Sequence, residues 1–227
     1  MSSIDKEFRN LLDMTEDYFS GGFSRPGAVG KRISDTGTLS RREQLNILHS
    51  RISECSLCRL HATRTHTVPG EGAFEPLVFL IGEGPGRDED RTGHPFVGRA
   101  GQYLDKWLAA IDLNRAEDCF IGNIVKCRPP ENRDPLPDES EACLPYLKQQ
   151  ISLIQPKIIL TLGRIAGRII TGEERGISSL RGKVYSFMGI PVVPTYHPSA
   201  VLRNPQFRSP VWEDLKQVKK IIESDVL

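Results

Sequence analysis

Four cysteines are spaced so that they can share one ligand. Cys55-Ser56-Leu57-Cys58 is a C-x-x-C, and Cys127 and Cys143 follow with fifteen residues between them. A C-x-x-C turn brings two sulfurs to one side, and two further thiolates complete a set that suits Zn²⁺ or an iron–sulfur cluster. Spacing does not separate those two, and the C-x-x-C pair alone also suits redox chemistry. The fifth cysteine, Cys119, lies between Asp118 and Phe120 and reads as a packed core residue.

Four further stretches carry groups that could meet a ligand. Gly82-Glu83-Gly84-Pro85-Gly86 is a loop whose glycines let backbone approach closely. It lacks the G-x-x-x-x-G-K-[ST] pattern of a P-loop. The charged run Arg87–Asp90 follows, with Asp88 and Asp90 read as solvated. Phe96, in His94-Pro95-Phe96-Val97-Gly98, offers a surface for stacking a base or a staple under its own loop. Asn123 interrupts an apolar run, so its amide must either cap a neighbouring loop or read a ligand. His197, fixed by Pro198, stands where a strand should end, either bonded to backbone or turned into a cleft.

These groups need a frame, and the hydrophobic pattern supplies one. Short apolar runs at 77–82, 119–125 and 157–162 read as buried strands, with shorter strands at 183–187 and 191–195. Helical patterns lie between them, over 41–53, 99–111, 138–155 (capped by Asp138), 163–171 and 211–223. Strands alternating with helices imply a mostly parallel sheet covered on both faces. Ligands in such folds bind beyond the carboxyl ends of the strands. That rule selects the loop after 82, Asn123, and His197.

Composition sets the outer limits. The 227 residues hold 30 Lys and Arg against 29 Asp and Glu, a formal charge of +1, which argues against a polybasic protein. The charge is uneven. Residues 1–19 sum to -3, whereas 31–70 sum to +4 and 123–133 to +2, and Arg203 and Arg208 add a further basic loop. Basic excess around a cleft is what phosphate-backbone binding needs. No apolar run approaches the ~18 residues of a membrane span. The opening MSSIDKEFRN has no apolar h-region, so a cytoplasmic location with reduced thiols is expected. Residues 1–40 read as a flexible N-terminal extension with a short helix, and 41–227 as the folded domain.

In combination the pieces resemble the uracil-DNA glycosylase superfamily, most closely its family 4, the iron–sulfur type. They are Cys55-x-x-Cys58, GEGPGRDED (82–90), TGHPFVGRAGQ (92–102), GNIVKCRPPENR (122–133), Cys143 and HPSAVLRNP (197–205), in order along residues 41–225. The resemblance implies an α/β fold, a three-layer α/β/α sandwich around a central four-stranded, mostly parallel sheet. It implies a [4Fe–4S] cluster on Cys55, Cys58, Cys127 and Cys143, with zinc the runner-up. It implies hydrolysis of the N-glycosidic bond of uracil in single- or double-stranded DNA, by a monomer with no membrane partner.

The same resemblance distributes roles. Phe96 stacks on the flipped uracil and Asn123 reads its edge. Glu89 stands where the methyl of thymine would sit. His197 donates to the uracil 2-oxygen, with the Gly84 backbone as a second donor. Family 1 relatives carry a water-positioning aspartate where this chain has Gly84, so Glu83 becomes the candidate for orienting water or balancing sugar charge. Val201 or Leu202 wedges into the vacated stack, and Arg203 grips phosphate. Two other readings stay in view: a nonenzymatic nucleic-acid-binding iron–sulfur protein, and a glycosylase for another deaminated base.

Overall fold

The computed structural model describes residues 39–224. The expected N-terminal extension, residues 1–40 with its helix, lies outside them except for its last two residues. In chain order the elements are α1 (Arg41–Ser53), β1 (Glu71–Gly72), β2 (Val78–Gly82), α2 (Arg87–Thr92), α3 (Arg99–Ala110), β3 (Cys119–Asn123), α4 (Pro137–Ile154), β4 (Ile158–Leu162), α5 (Arg164–Thr171), α6 (Ile177–Leu180), β5 (Tyr185–Phe187), β6 (Ile190–Thr195), α7 (Pro198–Arg203) and α8 (Arg208–Ser224).

The strands are apolar on both faces because both faces are covered. Every residue of β2, β3 and β4 is buried. Val78 and Leu80 point to a core built with Leu104 and Trp107 of α3 and Val211 and Leu215 of α8. Phe79 and Ile81 point the other way, to Leu48 and Ile52 of α1, Leu147 of α4 and Ile170 of α5. Two cores on either side of one sheet make the three-layer sandwich that strand–helix alternation implies. Cys119 is fully buried in the α3–α8 core, as its place in the strand pattern at 119–125 suggested.

The sheet is wider than expected. Its order is β1-β3-β2-β4-β6-β5, six strands rather than four. The four-stranded parallel set is present as the centre, β3-β2-β4-β6. Antiparallel β1 and β5 are added at the two edges. β1 is two residues long, too short to show a period. All four central strands end at the same rim, and β2 is flanked by β3 and β4, so the chain reverses its direction of travel there. That switch point opens a crevice beyond the strand ends.

Several local expectations change. Helix α1 begins on a capping box, in which Ser40 N donates to Glu43 Oε2 at 2.8 Å and Glu43 N to Ser40 Oγ at 3.3 Å. Helix α4 starts at Pro137, and Asp138 is not its cap. Glu139 accepts from Leu136 N at 2.8 Å instead, while Asp138 pairs with Arg59 at 2.9 Å. The charged run at 87–90 opens the helix α2, and Asp90 is buried rather than solvated. Its carboxylate accepts from Thr65 N at 2.9 Å. Residues 198–203 form a helical turn, α7, with His197 at its N-cap. Behind it, buried Asp214 accepts from Thr195 Oγ1 at 2.7 Å and from Arg181, tying α8 to the end of β6.

Candidate active site

Each of the four central strands delivers one segment to a single open cleft of about 460 Å³. That is within the usual range for a small-ligand site. Glu83 and Gly84 come after β2, Asn123 from the end of β3, Gly163 and Arg164 after β4, and His197 after β6. Glu89 of α2, Phe96 and Arg203 complete the walls. Thus Glu83, Gly84, Glu89, Phe96, Asn123, His197 and Arg203, dispersed over 121 positions of sequence, meet in one place.

Asn123 is almost fully buried, and its Oδ1 has no hydrogen-bond partner. A buried polar atom left unpaired is costly, and this one belongs to a residue that lines the cleft, where a ligand could meet it. Space for the amide exists because position 82 is glycine. A Cβ there would overlap Asn123 Oδ1 and lie 2.9 Å from Phe96 Cε2. The Phe96 and His197 rings lie 5.6 Å apart, tilted by 32°.

His197 accepts at Nδ1 from Ser199 N at 3.2 Å. An acceptor Nδ1 assigns the ring proton to Nε2, which leaves an N–H donor available to a ligand. Burial, and then the charge of Arg203, lowers His197 to about 4, so it is neutral near pH 7. Glu83 is pushed the other way, to about 7, by burial and by Asp134, with Arg164 opposing. The cleft therefore pairs a neutral donor with a carboxyl poised to titrate near neutrality.

The wedge residues divide. Val201 is 1% exposed and packed in the α3–α8 core, so it cannot enter a base stack. Leu202, next along α7, is 39% exposed and keeps that role open. Arg203 is exposed and makes no ion pair among the described residues. The cleft also contains Arg133, counted above only in the basic excess of 123–133, and Asn132, Arg164 and Ser199, which sequence reasoning missed. Asn132, Arg133 and Ser199 fall inside the motifs at 122–133 and 197–205, whereas Arg164 falls in none.

Cys55, Cys58, Cys127 and Cys143 line one separate small void. Cys55 follows α1, Cys58 begins a 3₁₀ turn, Cys127 follows β3, and Cys143 projects from α4. All four are free thiols. Arg64 Nη1 donates to Cys127 Sγ at 3.2 Å and to Cys55 O at 2.7 Å, and Lys126 N donates to Cys143 Sγ at 3.3 Å. Such donors stabilise sulfur that carries negative charge. Burial chiefly, with the neighbouring thiols, raises Cys143 to about 11 and pushes Cys58 and Cys127 up. A bound cation inverts that preference. Among the described residues no three His, Cys, Asp or Glu side chains are drawn together closely enough to hold a single metal ion.

Among the described residues no helix is long and apolar enough to cross a membrane. Residues 69–216 match the profile of the Uracil DNA glycosylase superfamily. The type-4 uracil-DNA glycosylase of Thermotoga maritima is 42% identical over 190 residues, covering 82% of this chain and 98% of that protein. The type-4 enzyme of Archaeoglobus fulgidus is 43% identical over 187 residues, 79% of this chain and 94% of its own. A type-5 uracil-DNA glycosylase of Pyrobaculum aerophilum is more distant, 28% identical over 148 residues, 58% of this chain and 65% of its own. The chain belongs to the uracil-DNA glycosylase superfamily, on its type-4 branch.

Proposed function

We propose that the cleft hydrolyses the N-glycosidic bond of uracil in DNA and leaves an abasic site. The unpartnered Asn123 oxygen carries this reading. Uracil offers a ring N–H beside its 4-oxygen, so an Asn amide can accept from one and donate to the other. Cytosine reverses that pattern and would leave the buried amide unpaired, a mismatch that can discriminate by ~10⁴ or more. The base must first leave the stack. Phe96 then offers it a ring, and Glu89 borders the position of a thymine methyl.

As the bond breaks, negative charge grows on uracil and positive charge on the sugar. The Nε2–H of His197 is aimed to meet charge on the 2-oxygen, stronger in the transition state than in the neutral base. The Gly84 backbone supports it. Glu83, once ionised, orients water or balances the sugar. Leu202 fills the vacated stack and Arg203 holds phosphate. All of these come from one chain, so a monomer is the proposed active unit, working in the cytoplasm on single- or double-stranded DNA.

We assign the four-cysteine void to a [4Fe–4S] cluster. Four cysteines lining one apolar pocket, with Arg64 and the Lys126 amide donating to two of the sulfurs, support this reading. Its role is to fasten the 55–58 turn to β3 and α4, and the cleft residues carry the chemistry without it.

A uracil-containing oligonucleotide, treated with the protein and then with alkali, tests the function. Strand breakage at the uracil position is expected. An unbroken strand at stoichiometric protein overturns the reading and favours a binding protein, while cleavage confined to hypoxanthine or xanthine favours another base.

A further inference from the structure

Phe96 holds a backbone conformation that phenylalanine seldom adopts. Its φ is +51°, in the left-handed region where a bulky side chain is strained. Such strain persists only where surrounding groups over-determine it. One of them is Gly101 in the first turn of α3, where any Cβ would overlap the Phe96 carbonyl.

The other is Arg115, in the loop before β3. Its Nη2 donates to the Pro95 carbonyl at 2.7 Å and its Nη1 to the Phe96 carbonyl at 3.1 Å. The guanidinium is held in turn by Asp105 at 2.9 Å and by Glu71 of β1 at 3.5 Å. The other Glu71 oxygen meets His94 Nδ1 at 2.6 Å. The edge strand β1 therefore fastens both ends of the His94–Phe96 segment. With its charge met by two carboxylates and both terminal nitrogens engaged, Arg115 is not a free cation for phosphate.

We propose that Arg115 is a positioning residue for base recognition: by gripping two successive carbonyls it holds the strained Phe96 peptide, and with it the ring beside Gly82, Asn123 and His197. This rests on the glycosylase reading above. Stacking acts on the base both before and after bond cleavage. Its loss should therefore appear as weaker binding more than as a slower chemical step.

The test uses the full chain with its cysteine site loaded. Arg115→Ala is expected to raise KM for uracil-containing DNA, and the inhibition constant of free uracil, about tenfold each, with a smaller fall in kcat. Arg115→Lys, which keeps the charge and one donor direction, should recover part of the loss. Asp105→Asn, at an exposed carboxylate, should shift free-uracil inhibition in the same direction and less far, without lowering the melting temperature. In a Phe96→Ala background, adding Arg115→Ala should change little, because the two act on the same ring. Unchanged uracil inhibition in both Arg115→Ala and Asp105→Asn, or full additivity with Phe96→Ala, overturns the proposal. Wild-type protein that releases no uracil overturns the glycosylase reading and this one with it. An active wild type with indifferent variants overturns this one alone.

Discussion

Gly82 and Asn123 are register partners on the neighbouring parallel strands β2 and β3, and the side chain missing from one makes room for the amide of the other. Gly82→Ala is therefore expected to displace Asn123 and Phe96 without breaking the ladder. Misplacement of this size near reacting groups costs on the order of 10²-fold in rate. Steady-state kinetics with a melting curve would show it; full activity in a folded Gly82→Ala protein would mean that Asn123 does not read the base.

His197→Ala should lower kcat by roughly 10²–10³-fold, the usual consequence of removing one donor to a developing anion. Single-turnover rates separate this from binding. The iron content should match the wild type, because His197 does not line the cysteine void. A wild-type rate would remove His197 from the mechanism.

The acidity of the two groups sets a pH profile. Activity that needs ionised Glu83 rises with pH through about 7 and then levels, while His197, at about 4, adds no limb near neutrality. Glu83→Gln should be slower and flat over that range, and a wild-type profile flat from pH 5 to 9 would exclude the role. Stability behaves differently. Glu83 holds its proton more tightly in the folded chain, so its contribution is present below its ordinary value of 4.5 and lost as pH rises through about 7. His197 contributes above its ordinary value of 6.5, and that contribution is lost as pH falls through about 4.

Replacing Cys127 by Ser should bleach visible absorbance, reduce bound iron and sulfide, and lower the melting temperature. The thiol connects the chain after β3 to the turn that holds Cys55 and Cys58. Cys119→Ser should keep its iron. It lies on the opposite face of the sheet, in the α3–α8 core. A colourless wild type containing zinc would overturn the cluster.

Adjacent residues on α7 should fail in different assays. Val201→Ala removes buried packing and should cost about 1–3 kcal/mol in denaturant titrations. Leu202→Ala should leave stability within about 0.5 kcal/mol. Its expected effect is several-fold slower uracil release from double-stranded DNA with little change on single strands, where no stack must be filled. Equal rates on both substrates would remove the wedge role.

The sequence exposed what depends on local pattern. VFLIG, and IILTL apart from Thr161, are apolar because helices cover both faces, so the central strands and the rim that carries the cleft could be read directly. Motif order then gathered Glu83, Asn123 and His197. What depends on distant partners stayed hidden. Asp90 looked like one of several solvated acids, because its partner Thr65 lies 25 residues earlier. Glu71 and Gly72 show no period in a strand of two residues. Val201 and Leu202 are both apolar, and only the orientation of α7 makes one core and the other surface.

The close fit of position 101 beneath the Phe96 carbonyl also limits how this site can diversify. Any residue other than glycine there collides with the backbone of the stacking loop, so position 101 admits no side chain while that loop keeps its course. Room for a bulkier base would come from side chains that line the cleft, such as Glu89 and Ala100, and not from moving that backbone. The course of the backbone beneath the aromatic ring is thus held by a residue with no side chain of its own, whichever side chain position 96 carries.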